Sequence, residues 1–294
     1  MDRKEIQTHL RNIRGDGRLR NVINLAERQE ALKLLDVIIH DLSVQTRWTR
    51  QPTLMAQAKL LLAELAGIDG SIFEQLWGRI QNAQLSPAAC RQIFESYSAY
   101  GGLRGAEHIK LDGLDVLLDG LLGLHGWQPK IAAPAPNLAH YDPTPASAVL
   151  EMTTFVPILA DSRFIDLGSG LGRVPMLAHL LTGCAASGIE IDPDLHERAQ
   201  QAQAQLGLPL VDLQHGDARD RDLSQFDVVF MYTPFIGPVL HEVLNKLERR
   251  ARQGPLTLCT LGPCTLQAAK LVWLKSADAH FDHVLKVAIF ESVF

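Results

Sequence analysis

Cysteine is scarce, and the four present (Cys90, Cys184, Cys259 and Cys264) form no C-x-x-C pair. That spacing argues against a disulfide framework and for the reduced, buried thiols of a cytoplasmic protein. No apolar run approaches the ~20 residues of a membrane span. The opening segment "MDRKEIQTHLRNIRGDG" has no apolar stretch of the signal-peptide kind. The expectation is therefore a cytoplasmic chain with no membrane partner. Among eleven histidines, including His40, His108, His125, His140 and His215, no H-E-x-x-H or comparable spacing occurs, so no metal site is expected. Strong charge of one sign is missing too: the net charge is −5 and the pI about 6.1. The first twenty residues hold six Lys+Arg against three acidic residues, read here as a solvated helix face. Residues 131–294 carry 12 basic against 18 acidic residues, which argues against nucleic acid as a partner.

What is present is an ordinary globular balance, 47% hydrophobic and 21% charged over 294 residues, enough for one large domain or two smaller ones. Residues 1–125 read as successive helices and show no fixed repeat. Val22, Leu25, Leu32, Leu35, Ile38 and Ile39 recur at helical spacing. Ser71 with Glu74 forms a capping-box pattern that predicts a helix start. Ser86 followed by Pro87 predicts another. "LDGLDVLLDGLLGL" predicts a further short helix. Composition then shifts across 126–145, where Pro129, Pro134, Pro136, Pro143 and Pro145 forbid regular helix. This stretch is taken as the domain connection. Residues 146–294 alternate strand and helix and end in two strands able to form a hairpin. That rhythm predicts an α/β domain with a mostly parallel sheet, binding its ligand at the strand carboxyl ends.

The stretch "RFIDLGSGLGRVPML" places Asp166 just before a loop with Gly168, Gly170 and Gly172. A dinucleotide fold wants G-x-G-x-x-G; here the third glycine comes one position early and Arg173 stands in its place. A carboxylate beside the loop repels a pyrophosphate but accepts a hydrogen bond from an ammonium group. No G-K-[S/T] follows, so a P-loop is excluded. S-adenosylmethionine fits these constraints. Asp166 would orient its amino end, and Gly168 and Gly170 would allow close backbone approach. Glu190, at the end of the next strand, would accept from the ribose hydroxyls. Asp217 in "HGDARD" would accept from the adenine amino group, with the Ala218 N–H donating. Ser169 and Gly172 belong to the same loop, and Ile191 follows Glu190.

Taken in order, "FIDLGSGLGR", "GIEIDP", "HGDARD" and "FDVVFMYTPF" resemble the motifs of the class I S-adenosylmethionine-dependent methyltransferases over residues 138–294. The resemblance implies a Rossmann-like seven-strand domain with a terminal antiparallel hairpin, here preceded by an all-α helical domain. It also implies S-adenosyl-L-methionine as cofactor, methyl transfer as the reaction and Tyr232 beside the cofactor. The lead-in "YDPTPASAVLEM" is similar to that of the non-SET histone-lysine and ATP-synthase c-subunit lysine methyltransferases. That similarity implies that Tyr141, Thr144 and Pro145 lie beside the cofactor.

Relatives that methylate nucleobases or glutamine carry [D/N]-P-P-[Y/F] after the fourth strand. This chain has Thr233-Pro234-Phe235, and Thr233 is a poorer acceptor for a two-proton nitrogen. Tyr141, Tyr232 and Phe235 are candidate aromatic walls for an amine, and Asp142 a candidate proton acceptor. The expected catalytic residues are Tyr141, Tyr232 and Thr233. The expected acceptor is an amine, on a protein lysine or a small molecule. The helical residues would recognise it, cover the pocket or form a homodimer. Two alternatives stay open on the residues alone: an NAD(P)-dependent oxidoreductase, and a non-catalytic cofactor-binding interaction protein.

Overall fold

The computed structural model describes residues 1–44, 52–98, 112–124, 137–139, 141–277, 284 and 286–294. His108, His125, His140, Pro129, Pro134 and Pro136 lie outside the described residues.

Five helices come first: α1 (Arg3–Gly15), α2 (Leu25–Val44), α3 (Pro52–Gln81), α4 (Pro87–Tyr97) and α5 (Gly113–Leu121), with a 3-10 turn at Gly17–Arg20. Asp2 caps α1 and Ser86 caps α4, where the Ser86 hydroxyl accepts from the Ala89 N–H and Pro87 takes the first turn. The expected helix start at Ser71 is not one. α3 continues through it, because Leu54, Ala58, Leu61, Leu65, Ile72, Phe73, Leu76 and Ile80 keep one buried face over the whole length. That tertiary burial overrides the local capping signal.

The alternating half contains α6 (Ala146–Phe155), β1 (Arg163–Leu167), α7 (Arg173–Thr182), β2 (Ala185–Glu190), α8 (Pro193–Leu206), β3 (Val211–His215) and β4 (Val228–Tyr232). It continues with α9 (Gly237–Ala251), β5 (Thr257–Leu261), α10 (Thr265–Ala268), β6 (Leu274–Ser276) and β7 (Ala288–Ser292). The seven strands lie in the order β3-β2-β1-β4-β5-β7-β6. Those from β3 to β5 are parallel, and β7 runs antiparallel to both β5 and β6. The strand order reverses between β1 and β4, the place where such sheets bind ligands.

Alternate residues of the central strands feed two cores, as the period of a strand requires. Ile165, Leu167, Val229, Met231 and Leu258 pack under α9. Phe164, Phe230 and Cys259 belong to the opposite core, which is continuous through α6, α7 and α8 with α4, α5 and the second half of α3. A separate core joins α1, α2 and the first half of α3. Helix α5 is buried nearly all round, so it forms the link between the leading helices and the layer on the sheet.

Candidate cofactor and acceptor site

β1 ends in Asp166 and Leu167, and the chain then turns through Gly168–Gly172 into α7. The Gly168 and Ser169 N–H groups both donate to the Ile189 carbonyl, at 2.9 and 3.0 Å, which fixes the loop to β2. Gly168 and Gly170 have φ of +81° and +51°. A Cβ at Gly168 would lie 2.3 Å from the Pro234 Cβ, and one at Gly170 would lie 2.4 Å from the Tyr141 ring. The glycines therefore let three segments close on one another: the loop, the residues after β4 and the lead-in to α6. Residues 137–139 are strapped to the same place. Leu138 bridges Phe235, the Ala139 N–H donates to the Pro234 carbonyl at 3.1 Å, and the Ile236 N–H donates to the Asn137 carbonyl at 2.9 Å.

Two carboxyl groups sit beneath this arrangement. Asp166 is 3% exposed, and burial, followed by repulsion from Glu190, holds its pKa well above the usual carboxylate range. Glu190 is also buried and raised by burial. Its Oε2 accepts from the Gly170 N–H at 2.7 Å and its Oε1 from the Asp192 N–H at 2.8 Å. Each oxygen retains a second acceptor site.

Other expected site residues fall around the same edge. Ser169 and Thr144 are buried, and Ile191 is 41% exposed at the end of β2. Asp217 follows β3 and accepts from Arg219, through its N–H at 2.8 Å and Nη2 at 2.7 Å. Those bonds lower the Asp217 pKa. A ligand amino group would meet a carboxylate that already holds a cation. Ala218 beside it is buried. The Thr233 hydroxyl donates to the Leu261 carbonyl at 3.0 Å and accepts from the Cys264 N–H at 3.1 Å, with Thr233 itself at φ +37°. Its hydroxyl is thus engaged with the end of β5. Phe235 is no aromatic wall: it packs in the core under α9, while Tyr141 and Tyr232 pack against the opposite core.

The two tyrosines differ. Tyr232 donates its hydroxyl to Asp142 Oδ2 at 2.8 Å. Burial first, and this bond second, push its pKa up. The Tyr141 hydroxyl is buried with no hydrogen-bond partner among the described residues, and burial pushes its pKa up as well. A buried hydroxyl left unpaired is costly, so an orphan of this kind marks a place where a partner belongs.

Residues 165–259 match the family described as a methyltransferase domain. This part of the chain is similar to a methyltransferase domain. Its sheet is the Rossmann-like seven-strand arrangement of that fold, with the antiparallel terminal pair and the helices in front. Among solved structures, an RNA methyltransferase from Salinibacter ruber in complex with S-adenosyl-L-homocysteine is 24% identical, over 51% of this chain and 92% of that one, with a TM-score of 0.40. Precorrin-6y C5,15-methyltransferase from Geobacter metallireducens is 19% identical, over 55% and 93%, with a TM-score of 0.40. A mutant of MtNAS in complex with S-adenosylmethionine is 13% identical, over 98% and 96%, with a TM-score of 0.41. Three further structures are spanned over only 51%, 54% and 58% of their own length. No curated protein matches the chain.

Sequence reasoning missed two partners of Arg173. The guanidinium at the start of the domain's α7 is buried and paired with Asp115 and Asp119 of α5. The signal was there in an arginine opening an apolar helix, but its partners stand 58 and 54 positions away. Among the described residues, no group of three His, Cys, Asp or Glu is placed to hold a metal ion, and no helix is long and apolar enough to cross a membrane.

Proposed function

We propose that the methyltransferase domain uses S-adenosyl-L-methionine and transfers its methyl group to an amine, on a protein lysine or a small molecule. The observation that carries this reading is the buried Tyr141 hydroxyl, without a hydrogen-bond partner among the described residues, with its ring packed on Gly170 and the raised Glu190 carboxyl acting on it. Asp166 and Glu190 are costly to ionise together in a dry site. A ligand bearing ammonium and sulfonium charge relieves that cost, whereas a pyrophosphate adds to it. The residues present therefore fit S-adenosylmethionine and disfavour a dinucleotide.

In this reading Asp166 faces the ammonium group, Glu190 the ribose hydroxyls and Asp217 with Ala218 the adenine. Ile191 covers an apolar face of the ligand. Ser169, Gly170 and Gly172 supply the loop backbone. Thr144 shapes the wall below Tyr141, and Thr233 holds the turn after β4 in its left-handed geometry. The cofactor supplies an electrophilic methyl group. The chain aligns an acceptor with it at ~3–3.5 Å and excludes water. Tyr232 and Asp142 form the hydrogen-bonded pair at which an amine can lose its proton before attack, since only the neutral amine is nucleophilic. The proposal divides the chain into a helical part, 1–125, a connection, 126–145, and a catalytic part, 146–294. The helical part is assigned to acceptor recognition or self-association in the cytoplasm.

Thermal unfolding with S-adenosylmethionine, S-adenosylhomocysteine, NAD or NADP tests the cofactor. At about 100 times its dissociation constant a ligand should add roughly 2.7 kcal/mol. The adenosyl compounds should stabilise the chain; stabilisation by NAD alone overturns the reading. Labelled methyl transfer into lysate, followed by protease or nuclease digestion, then tests the acceptor. Label that survives nuclease and is lost to protease supports a protein.

A further inference from the structure

Asp115 lies in α5, far from the cofactor motifs in sequence, yet it touches the segments that carry two of them. Its Oδ1 accepts from the Ala146 N–H at 2.9 Å and from Arg173 Nη2 at 2.6 Å. Its Oδ2 accepts from the Asp112 N–H at 3.3 Å, closing the cap of α5. Ala146 is the residue after Tyr141–Pro145, and Arg173 is the residue after Gly168–Gly172. One buried carboxylate therefore holds the downstream ends of both cradle segments. Asp119, one turn further along α5, pairs with the other terminal nitrogen of Arg173.

We propose that Asp115 is a positioning residue for the cofactor cradle, holding the glycine loop through Arg173 and the tyrosine lead-in through Ala146 in one mutual geometry. The inference rests on the reading that this cradle binds S-adenosylmethionine. With side chains 2% and 5% exposed, the Asp115–Arg173 pair is screened much less than a surface pair. The Tyr141 ring is in contact with the loop that Arg173 ends, and the Arg173 charge acts on the Tyr141 hydroxyl. A shift of either segment by a fraction of an ångström changes how the Tyr141 ring packs on Gly170. Affinity built from several convergent groups is sensitive to displacements of that size. The leading helices thereby acquire a part in cofactor binding without supplying a side chain that touches it.

The experiment is calorimetric titration of S-adenosylhomocysteine into the full chain, well below each variant's unfolding midpoint, with the midpoint measured alongside. Asp115→Asn keeps an acceptor for Ala146 and removes the charge that holds Arg173; Asp115→Ala removes both. The expected result is at least a tenfold loss of affinity in Asp115→Ala and a smaller loss in Asp115→Asn. Asp69→Asn, a buried acidic position in the helices away from the cradle, should lower the midpoint and leave affinity unchanged. Wild-type affinity in folded Asp115→Asn and Asp115→Ala overturns the proposal. No binding by the wild-type chain overturns the cofactor reading instead. Should Asp115→Ala fail to fold, hydrogen exchange on the wild type still decides. The Ala146 amide and those of residues 168–173 should be slowed together by S-adenosylhomocysteine, and slowing of the loop alone overturns the proposal.

Discussion

Two buried arginine–aspartate pairs hold this chain together, and they are not equivalent. In the leading helices Arg28 meets Asp69 at 2.6 Å, with side chains 0% and 4% exposed. Every nitrogen of that guanidinium has a partner: Nε bonds Asp69, Nη1 the Leu19 and Asn21 carbonyls, and Nη2 the Val22 carbonyl. Gln29 donates to the other oxygen of Asp69. At the junction, Arg173 meets Asp115 and Asp119 but leaves its Nε buried and without a partner among the described residues. The first pair is saturated and closes off the turn between α1 and α2. The second is incompletely satisfied and sits beneath the glycine loop. In the proposed reading the saturated pair serves the leading helices alone, while the second joins them to the ligand cradle.

The largest effect should come from breaking the saturated pair. Arg28→Met strands the Asp69 carboxylate and three carbonyls, and removal of one partner of a buried pair costs about 3–5 kcal/mol. Chemical denaturation should show that loss. Titration at low temperature should show S-adenosylhomocysteine affinity within twofold of wild type. A parallel loss of affinity would erase the distinction between the two pairs.

The legibility of these regions in sequence differs for the same reason. The strand–helix rhythm, the hairpin and the glycine loop are local patterns, and each reappears in the fold. The placement of Asp166 and Glu190 beside the glycine loop is legible because each stands at the carboxyl end of a strand next to it. The run through Ser71 misleads because capping is a local signal and the buried face of α3 is not. Phe235 misleads because a one-residue step in a turn decides which face of the sheet a ring joins. The partners of Arg173 and the engagement of Thr233 with the end of β5 depend on contacts between distant segments, which no spacing rule encodes.

A second, smaller effect separates the loop from the pair that anchors it. Gly170→Ala adds a Cβ 2.4 Å from the Tyr141 ring at a φ of +51°. Tyr141 must give way, and S-adenosylhomocysteine affinity should fall at least tenfold, about 1.4 kcal/mol. Asp166→Ala and Glu190→Ala should each weaken binding several-fold. The same titration measures all three, and unchanged affinity in all of them would move the ligand away from this loop.

The smallest effect is the sharpest discriminator, because binding and stability should respond to pH with opposite signs. Burial, opposed by the Arg173 charge, raises the Asp115 pKa from 3.8 to about 6. The charged groups facing it are Arg173 from α7 and Asp112 and Asp119 on its own side. At neutral pH Asp115 is ionised and holds Arg173. Near pH 5.5 about three quarters of the chains carry the extra proton, for a pKa about half a unit higher. The hold on Arg173 then loosens, so wild-type affinity for S-adenosylhomocysteine should fall relative to Asp115→Asn, which has no charge to lose. Stability moves the other way. A raised carboxyl pKa means that the folded chain binds this proton more readily than the unfolded one between pH ~4 and ~6. Its contribution to stability therefore falls as pH rises through that window and is regained on acidification, by about 1 kcal/mol at pH 5.5. Asp166 and Glu190 titrate in both proteins and largely cancel from the comparison. Denaturation and titration of wild type and Asp115→Asn at pH 7.5 and 5.5 supply all four quantities. Affinity and stability shifting in the same direction would show that Asp115 does not act on the cradle through Arg173.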